Sequence, residues 1–427
     1  MAEQHTTAAT VAGPAESAAL ASELFAPGVG AQAGPPSEPA PSSETAAREI
    51  APTGSPAERF TALDPDAFGE PTGREESWRF TPMRRIRPLL SADAAGGRPP
   101  WQADLPDGVE FAPVEDGDPL LKALPEPVDR LAALTRRHAQ GADVVRISAE
   151  LQIDRPVTLR YAGGGADEVV HGQLVVDVGP FAEATVVLDH TGLARYSGGV
   201  AVLLGDGARL TLVSVQDWAP GSLHAGQYDA VVGRDASLTQ VVVTLGGDLV
   251  RLVDNVQFAG PGGSAELAGV YFADGDQHLE HRLWVDHTVP QCRSDVLYKG
   301  ALQGEQARTV WVGDVRIRPA AVGTQTYELN RNLLLTDGAR ADSVPNLEIE
   351  TGEIVGAGHA SATGRFDDEQ LFYLCSRGID AETARRLVVR GFFAEVIARI
   401  GLPELQDRLM TSVETRLGTL PALEASA

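Results

Sequence analysis

The chain has 427 residues, 43% hydrophobic and 22% charged, enough to bury a large core and to hold two or three domains. Its formal charge of −24 excludes nucleic acid or an anionic membrane surface as the main partner, because phosphate recognition needs clustered cations. Lys122 and Lys299 are the only lysines, and neither precedes Ser or Thr, so the chain carries no phosphate-binding P-loop of its own.

The only cysteines, Cys292 and Cys375, cannot build a disulfide framework or a four-thiolate metal site, and both are expected to be buried, inert thiols. The N-terminus lacks a cationic and then apolar leader, and no apolar run approaches the ~18 residues that span a bilayer. A cytoplasmic location with no membrane contact is expected.

Residues 1–55 are rich in Ala, Pro, Ser, Glu and Gly and read as a disordered tail. Residues 56–140 read as an N-terminal helical domain. In it, Trp78 and Phe80 before Pro82 form an anchor, and Val128, Leu131, Ala132 and Leu134 share a helical face.

Residues 141–364 change character: short Val/Leu/Thr runs, such as Gln173–Val178 and Leu210–Val215, alternate with Gly/Asp turns. Ala182, Ala208, Ala236 and Ala265 recur in similar turns at steps of 26 to 29 residues. That spacing predicts a β-solenoid whose coils stack about 4.8 Å apart, with a β-sandwich as the alternative.

Within the coils, His278, Glu280, His281 and His287 have metal-like composition. On a strand, however, His278 and Glu280 point one way and His281 and His287 the other, which splits the cluster. Asp286-His-Thr288 echoes Asp189-His-Thr191, suggesting equivalent coil positions. Carboxylate pairs such as Asp274 and Asp276 fall in turn contexts. No dinucleotide fingerprint or serine elbow is complete.

Gly356-Ala-Gly-His359-Ala-Ser-Ala-Thr-Gly364 places one imidazole in a clearing of small residues where the strand pattern gives way to helix. An accessible neutral imidazole suits an iron ligand or a proton carrier. Residues 365–427 read as a C-terminal helical domain. Asp367-x-x-Gln370 caps its first helix, Gly378 stops it, and Asp380 starts a second helix running to Arg399. In that second helix Val388, Phe392, Val396 and Val389, Phe393, Ile397 form a wide apolar face, open to core or partner readings. Leu405, Leu409, Val413 and Leu417 mark a third helix.

Trp78-Arg-Phe-Thr-Pro82, His287-Thr-Val-Pro-Gln-Cys-Arg-Ser294, Tyr298-Lys-Gly300, Pro345-x-Leu-Glu-Ile349, His359-Ala-Ser-Ala-Thr-Gly364 and Asp368-Glu-Gln-Leu-Phe-Tyr-Leu-x-Ser-Arg-Gly-Ile379 together carry a resemblance. Over residues 75–400 the chain resembles the SufB/SufD family of iron–sulfur cluster assembly scaffolds, on its SufD side. The resemblance implies a right-handed parallel β-helix core between N-terminal and C-terminal helical domains, in a non-catalytic subunit. It implies pairing with a SufB-like subunit, docking of a SufC-like ATPase, and a transient iron or iron–sulfur cluster at the interface, with His359 as candidate ligand; self-association is a further option.

The ATPase contact maps onto the C-terminal helices through Asp368, Gln370, Leu371, Phe372, Tyr373, Arg377, Gly378, Arg390, Phe392 and Phe393. Many family members carry Cys two residues before this His; here the position is Ala357. His359 is therefore expected to find its co-ligands across the interface. A β-helical enzyme acting on acidic polysaccharide and a homodimeric structural protein are the alternative readings.

Overall fold

The computed structural model describes residues 58–91, 97–366 and 368–417, with the side chains of Asp368 and Gln370 excepted. The expected tail over residues 1–55 and the cap at Asp367 lie outside them. The described residues from Phe60 onward form one compact unit.

Among the described residues, sixteen strands form a single sheet. The first four are β1 (Gln102–Asp104), β2 (Val109–Val114), β3 (Ala142–Ile147) and β4 (Val157–Val178). They are followed by β5 (Glu183–Leu204), β6 (Arg209–Trp218), β7 (Leu223–Val232), β8 (Ser237–Thr244), β9 (Leu249–Phe258) and β10 (Ser264–Ala273). The last six are β11 (His278–His287), β12 (Arg293–Leu302), β13 (Arg308–Ile317), β14 (Gln325–Leu334), β15 (Arg340–Ile349) and β16 (Gly356–Arg365).

β5 is where the sheet divides. Its first half pairs in parallel with β6 and its second half with β7. From there even-numbered strands stack on even and odd on odd, ending at β16 and β15. The chain therefore winds as a parallel β-solenoid with two faces. Ladders of parallel strands this long require every coil to repeat the same inward and outward alternation.

Inward columns follow from the register. Val186, Leu212, Gln240, Leu267, Val296, Glu328 and His359 form one; Leu188, Ser214, Val242, Gly269, Tyr298, Asn330 and Ser361 form the next. Apolar members of these columns and of the facing sheet make one continuous core. Gly269 is needed where it stands: a Cβ there would come within 2.2 Å of the Tyr298 ring.

The turn column is more selective than the sequence indicated. Ala182, Ala208 and Ala236 are equivalent, each buried and one residue ahead of its strand. Gly263, not Ala265, holds that place in the next coil, and Cys292 in the one after. Cys292 is thus a small buried filler of the column, and burial pushes its thiol pKa up.

The echo of Asp189-His and Asp286-His does not mark equivalent positions. His190 lies in the part of β5 that stacks on β6, and His287 on the opposite row in β11.

The region expected to be a helical domain contains both helix and strand. Its principal helix, α1 (Arg130–Ala139), is capped by Asp129 and buries Leu131, Ala132 and Leu134. β1 pairs antiparallel with β4 and β2 with β3, so this segment extends the solenoid's sheet. Trp78 is the anchor that its neighbours suggested. It is buried beneath the Arg251 guanidinium, 4.0 Å from the ring, while Arg251 pairs with Asp129 at 2.9 Å.

Among the described residues, three helices follow the last coil: α2 (Asp368–Ser376), α3 (Ala381–Ala398) and α4 (Pro403–Leu417). Gly378 takes φ +88° after α2, and the Asp380 side chain caps α3 by accepting from the Thr383 amide at 2.9 Å. Helices α3 and α4 fold back along the outside of the even-numbered strands. Lys299 of β12 pairs with Glu395 at 2.7 Å, and Arg399 with Asp295 at 3.2 Å. Farther back, Arg416 pairs with Asp217 of β6.

Candidate functional site

His359 lies inside β16, not in a loop. Pairing in register with β14 sets the conformation of this Gly- and Ala-rich stretch, which has little strand preference of its own. β16 pairs only with β14, and β15 only with β13, so both rows of the solenoid end on an open edge. Ser361 Oγ meets Ser343 Oγ across the lumen at 2.8 Å, which fixes β15 and β16 as the facing walls of the last coil.

His359 is exposed although it belongs to an inward column, because no further coil covers it. Only part of the smallness around it answers to packing in this chain, where Ala357 lies against the core. A Cβ on Gly356 or Gly364 would meet nothing within 4 Å, and one on Gly358 would meet only the Tyr327 ring, at 3.2 Å. Val355 and Ile349, at 71% and 45% exposure, leave apolar surface at the same end.

Directly beneath His359 in the column is Glu328. Its side chain is buried, and neither carboxylate oxygen has a hydrogen-bond partner. Burial, with the Asp314 charge behind it, pushes its carboxyl up to about 8. The sequence reading missed Glu328; the signal that finds it is the register, which puts it one coil before His359.

Beside it runs a closed polar set. Tyr271 Oη donates to Asn332 Oδ1 at 2.7 Å, Asn330 donates to Tyr271 Oη at 2.9 Å, and Asn332 Nδ2 reaches Thr363 of the last coil at 3.3 Å.

The histidine cluster of β11 splits as the alternation required. His278 and Glu280 face outward under the N-terminal segment, where Thr81 donates to Glu280 at 2.8 Å. Burial raises the Glu280 carboxyl, but the His278 hydrogen bond and the Arg251 and Arg282 charges outweigh it and hold it at about 2. His281 and His287 face the lumen, bonded to Thr244 at 3.0 Å and Ser294 at 2.9 Å. Among the described residues, no three His, Cys, Asp or Glu side chains converge as a metal site.

The expected docking residues separate into two groups. Phe392 and Phe393 are buried in the chain's own helix packing, and the Lys299 ammonium lies 5.2 Å from the Phe392 ring centre. The wide apolar face of α3 is core, because it is filled by α4 and the solenoid wall. Phe372 (75% exposed), Tyr373 (40%), Arg377 and Gly378 are exposed, Leu371 is half-buried, and Arg390 pairs with Glu414 at 2.7 Å. The side chains of Asp368 and Gln370 lie outside the described set.

Among the described residues, a parallel β-solenoid whose last coil is uncovered, with an exposed imidazole on it and helices along its flank, defines the class of fold. Residues 161–392 match the family model described as the SufBD core domain of the SUF system for FeS cluster assembly, so the chain belongs to the SufBD family.

It is 52% identical over 365 residues to a SufBD family iron–sulfur cluster assembly protein of Mycobacterium leprae, covering 84% of this chain and 93% of the relative. A SufBD family protein of Mycobacterium tuberculosis is 53% identical over 368 residues, covering 84% and 92%. The iron–sulfur cluster assembly protein SufD of Escherichia coli is 26% identical over 383 residues, covering 82% and 90%. No helix among the described residues is long and apolar enough to cross a membrane.

Proposed function

We propose that this chain is a non-catalytic scaffold subunit of the SUF system. It would pair end to end with a SufB-like subunit through β15 and β16, and present its exposed α2 surface to a SufC-like ATPase. His359 would lend an imidazole to a transient iron ion or nascent cluster, the cargo of the assembly, at that junction.

The open end of the solenoid carries the reading. Two edge strands, exposed Val355 and Ile349, and glycines whose Cβ positions are empty make a surface suited to a second solenoid end. An edge strand left bare would invite uncontrolled pairing, which a dedicated partner prevents.

For the ATPase, Phe372 and Tyr373 are the exposed aromatics suited to anchor a contact. Phe392 and Phe393 are withdrawn from that surface, since polar replacements there would disrupt folding before docking. The absence of a P-loop from this sequence is consistent with ATP hydrolysis by the partner.

Copurification tests the pairing. A charged replacement at the open end, Val355→Glu, is expected to release the SufB-like subunit while Phe372→Ser releases only the ATPase. Retention of both partners by both variants would overturn the assignment of these surfaces.

A further inference from the structure

We propose that Glu328 is the oxygen-donor companion of His359: a second protein ligand, one coil inside the open end, for the divalent iron that the scaffold receives. The inference rests on the proposed function and deepens it by naming a donor on this chain.

The argument starts from two atoms. Glu328 is 1% exposed, yet both carboxylate oxygens lack a hydrogen-bond partner. A buried carboxyl with no donor is costly wherever it occurs. Of its polar neighbours in the lumen, Tyr298 Oη and Trp311 Nε1 likewise lack a partner, while others are satisfied. Asn330, Asn332 and Tyr271 bond to one another within the adjoining columns. A Gln or Leu at 328 would be cheaper for folding, so the carboxylate is unexplained by stability.

Its direction is fixed. In-register parallel partners project to the same side, so Glu328 and His359 share one face of neighbouring strands, about 4.8 Å apart along the ladder. The carboxylate crosses the lumen: a Cβ on Gly313, in the opposite wall, would lie 2.6 Å from Glu328 Oε1. Gly313 thereby keeps open the space the carboxylate occupies, and the same Cβ would strike the Trp311 ring at 2.4 Å.

Above Glu328 the column holds only His359, with no coil beyond. Imidazole and carboxylate together suit a divalent first-row ion, and two protein donors leave positions for water and for groups from a partner. Ala357, two residues before His359 on the same face of the strand, offers no donor, so on this strand pair the second donor is the oxygen of Glu328.

The test is anaerobic titration of the full chain with Co2+, whose visible bands report coordination, followed by Fe2+ competition. Wild type is expected to bind Co2+ and to yield it only to an excess of Fe2+, which N/O donors hold more weakly. Glu328→Gln and His359→Ala should each weaken binding about tenfold or more, the loss expected when a donor is removed from a sparse site.

Glu328→Gln should unfold no earlier than wild type, because it replaces an unsatisfied carboxyl with a neutral isostere. Glu328→Met, an apolar filler of similar volume, should fold and also fail to bind. Wild-type affinity in Glu328→Gln, with binding lost in His359→Ala, would overturn the role of Glu328 while leaving the scaffold reading intact. A wild-type chain that binds no Co2+, or binding unaffected in both variants, would overturn the pair altogether. The scaffold reading fails separately, by loss of partner copurification.

Discussion

Arg408 of α4 donates to both carboxylate oxygens of Asp189, at 2.8 and 3.0 Å, and so ties that helix to β5. The Asp189 carboxylate is nearly buried while the guanidinium is half-exposed. Breaking the pair from the Arg side therefore strands a buried charge, whereas the pair itself is partly screened.

Arg408→Ala is expected to cost about 1–2 kcal/mol, discounted for that exposure, and to leave the solenoid folded. Limited proteolysis should then cleave α4 before the coils. Simultaneous loss of coils and helices would show that the helices are integral to solenoid stability.

The helical trio depends on its own core. Phe393→Ala removes a fully buried ring and is expected to destabilise by about 3–5 kcal/mol, measured by chemical denaturation. Phe372→Ala removes an exposed ring and should change stability by less than about 0.5 kcal/mol while weakening the ATPase contact. Equal stability losses at the two sites would contradict the division between core and surface.

Glycines give a second contrast. Gly269→Ala drives a methyl group into the Tyr298 ring and should cost about 1–3 kcal/mol. Gly364→Ala adds a methyl group to open space and should be nearly neutral in the isolated chain. Gly364→Leu should likewise fold but impair pairing at the solenoid end, as read by copurification.

Stability should depend on pH from two opposing sides. Burial is the main force on Asp254 in the lumen, and it raises the carboxyl to about 7 despite a 2.6 Å bond from Gln240. The folded state holds that proton while the unfolded chain ionises near pH 4, so this group's contribution falls as pH rises from about 4 to 7.

Burial also lowers His190 to about 4 and His281 to about 3. The unfolded chain takes up those protons first, so stability is lost as pH falls below about 6.5. Asp254→Asn should therefore gain on wild type as pH rises from 4 to 7 in denaturation series. A pH-independent difference between them would contradict a protonated Asp254.

Much of this architecture was legible because a solenoid writes its period into the chain. Recurrent small residues before β5, β6 and β8 exposed the step, and alternation separated the outward His278 and Glu280 from the inward His281 and His287. The Asp380 cap and the rows of α3 defined that helix.

What stayed hidden depended on register. Ala265 and Cys292 change roles when strands are slid by two residues, and Glu328 becomes a neighbour of His359 only once β14 and β16 are paired. Whether the α3 face was core or interface could not be read from its pattern, because burial against β12 and docking of a partner demand the same apolar spacing. Strand β16 itself was obscured by residues chosen for space and not for strand preference.

The central claim is that His359 serves the assembly's cargo and not its architecture. Its most direct test is anaerobic cluster reconstitution on the purified complex of this chain with its SufB-like and SufC-like partners, comparing wild type with His359→Ala. The account predicts an intact complex with unchanged stoichiometry and a cluster yield reduced about tenfold or more, in line with loss of one donor from a sparse site. Wild-type cluster yield from an intact His359→Ala complex would contradict it.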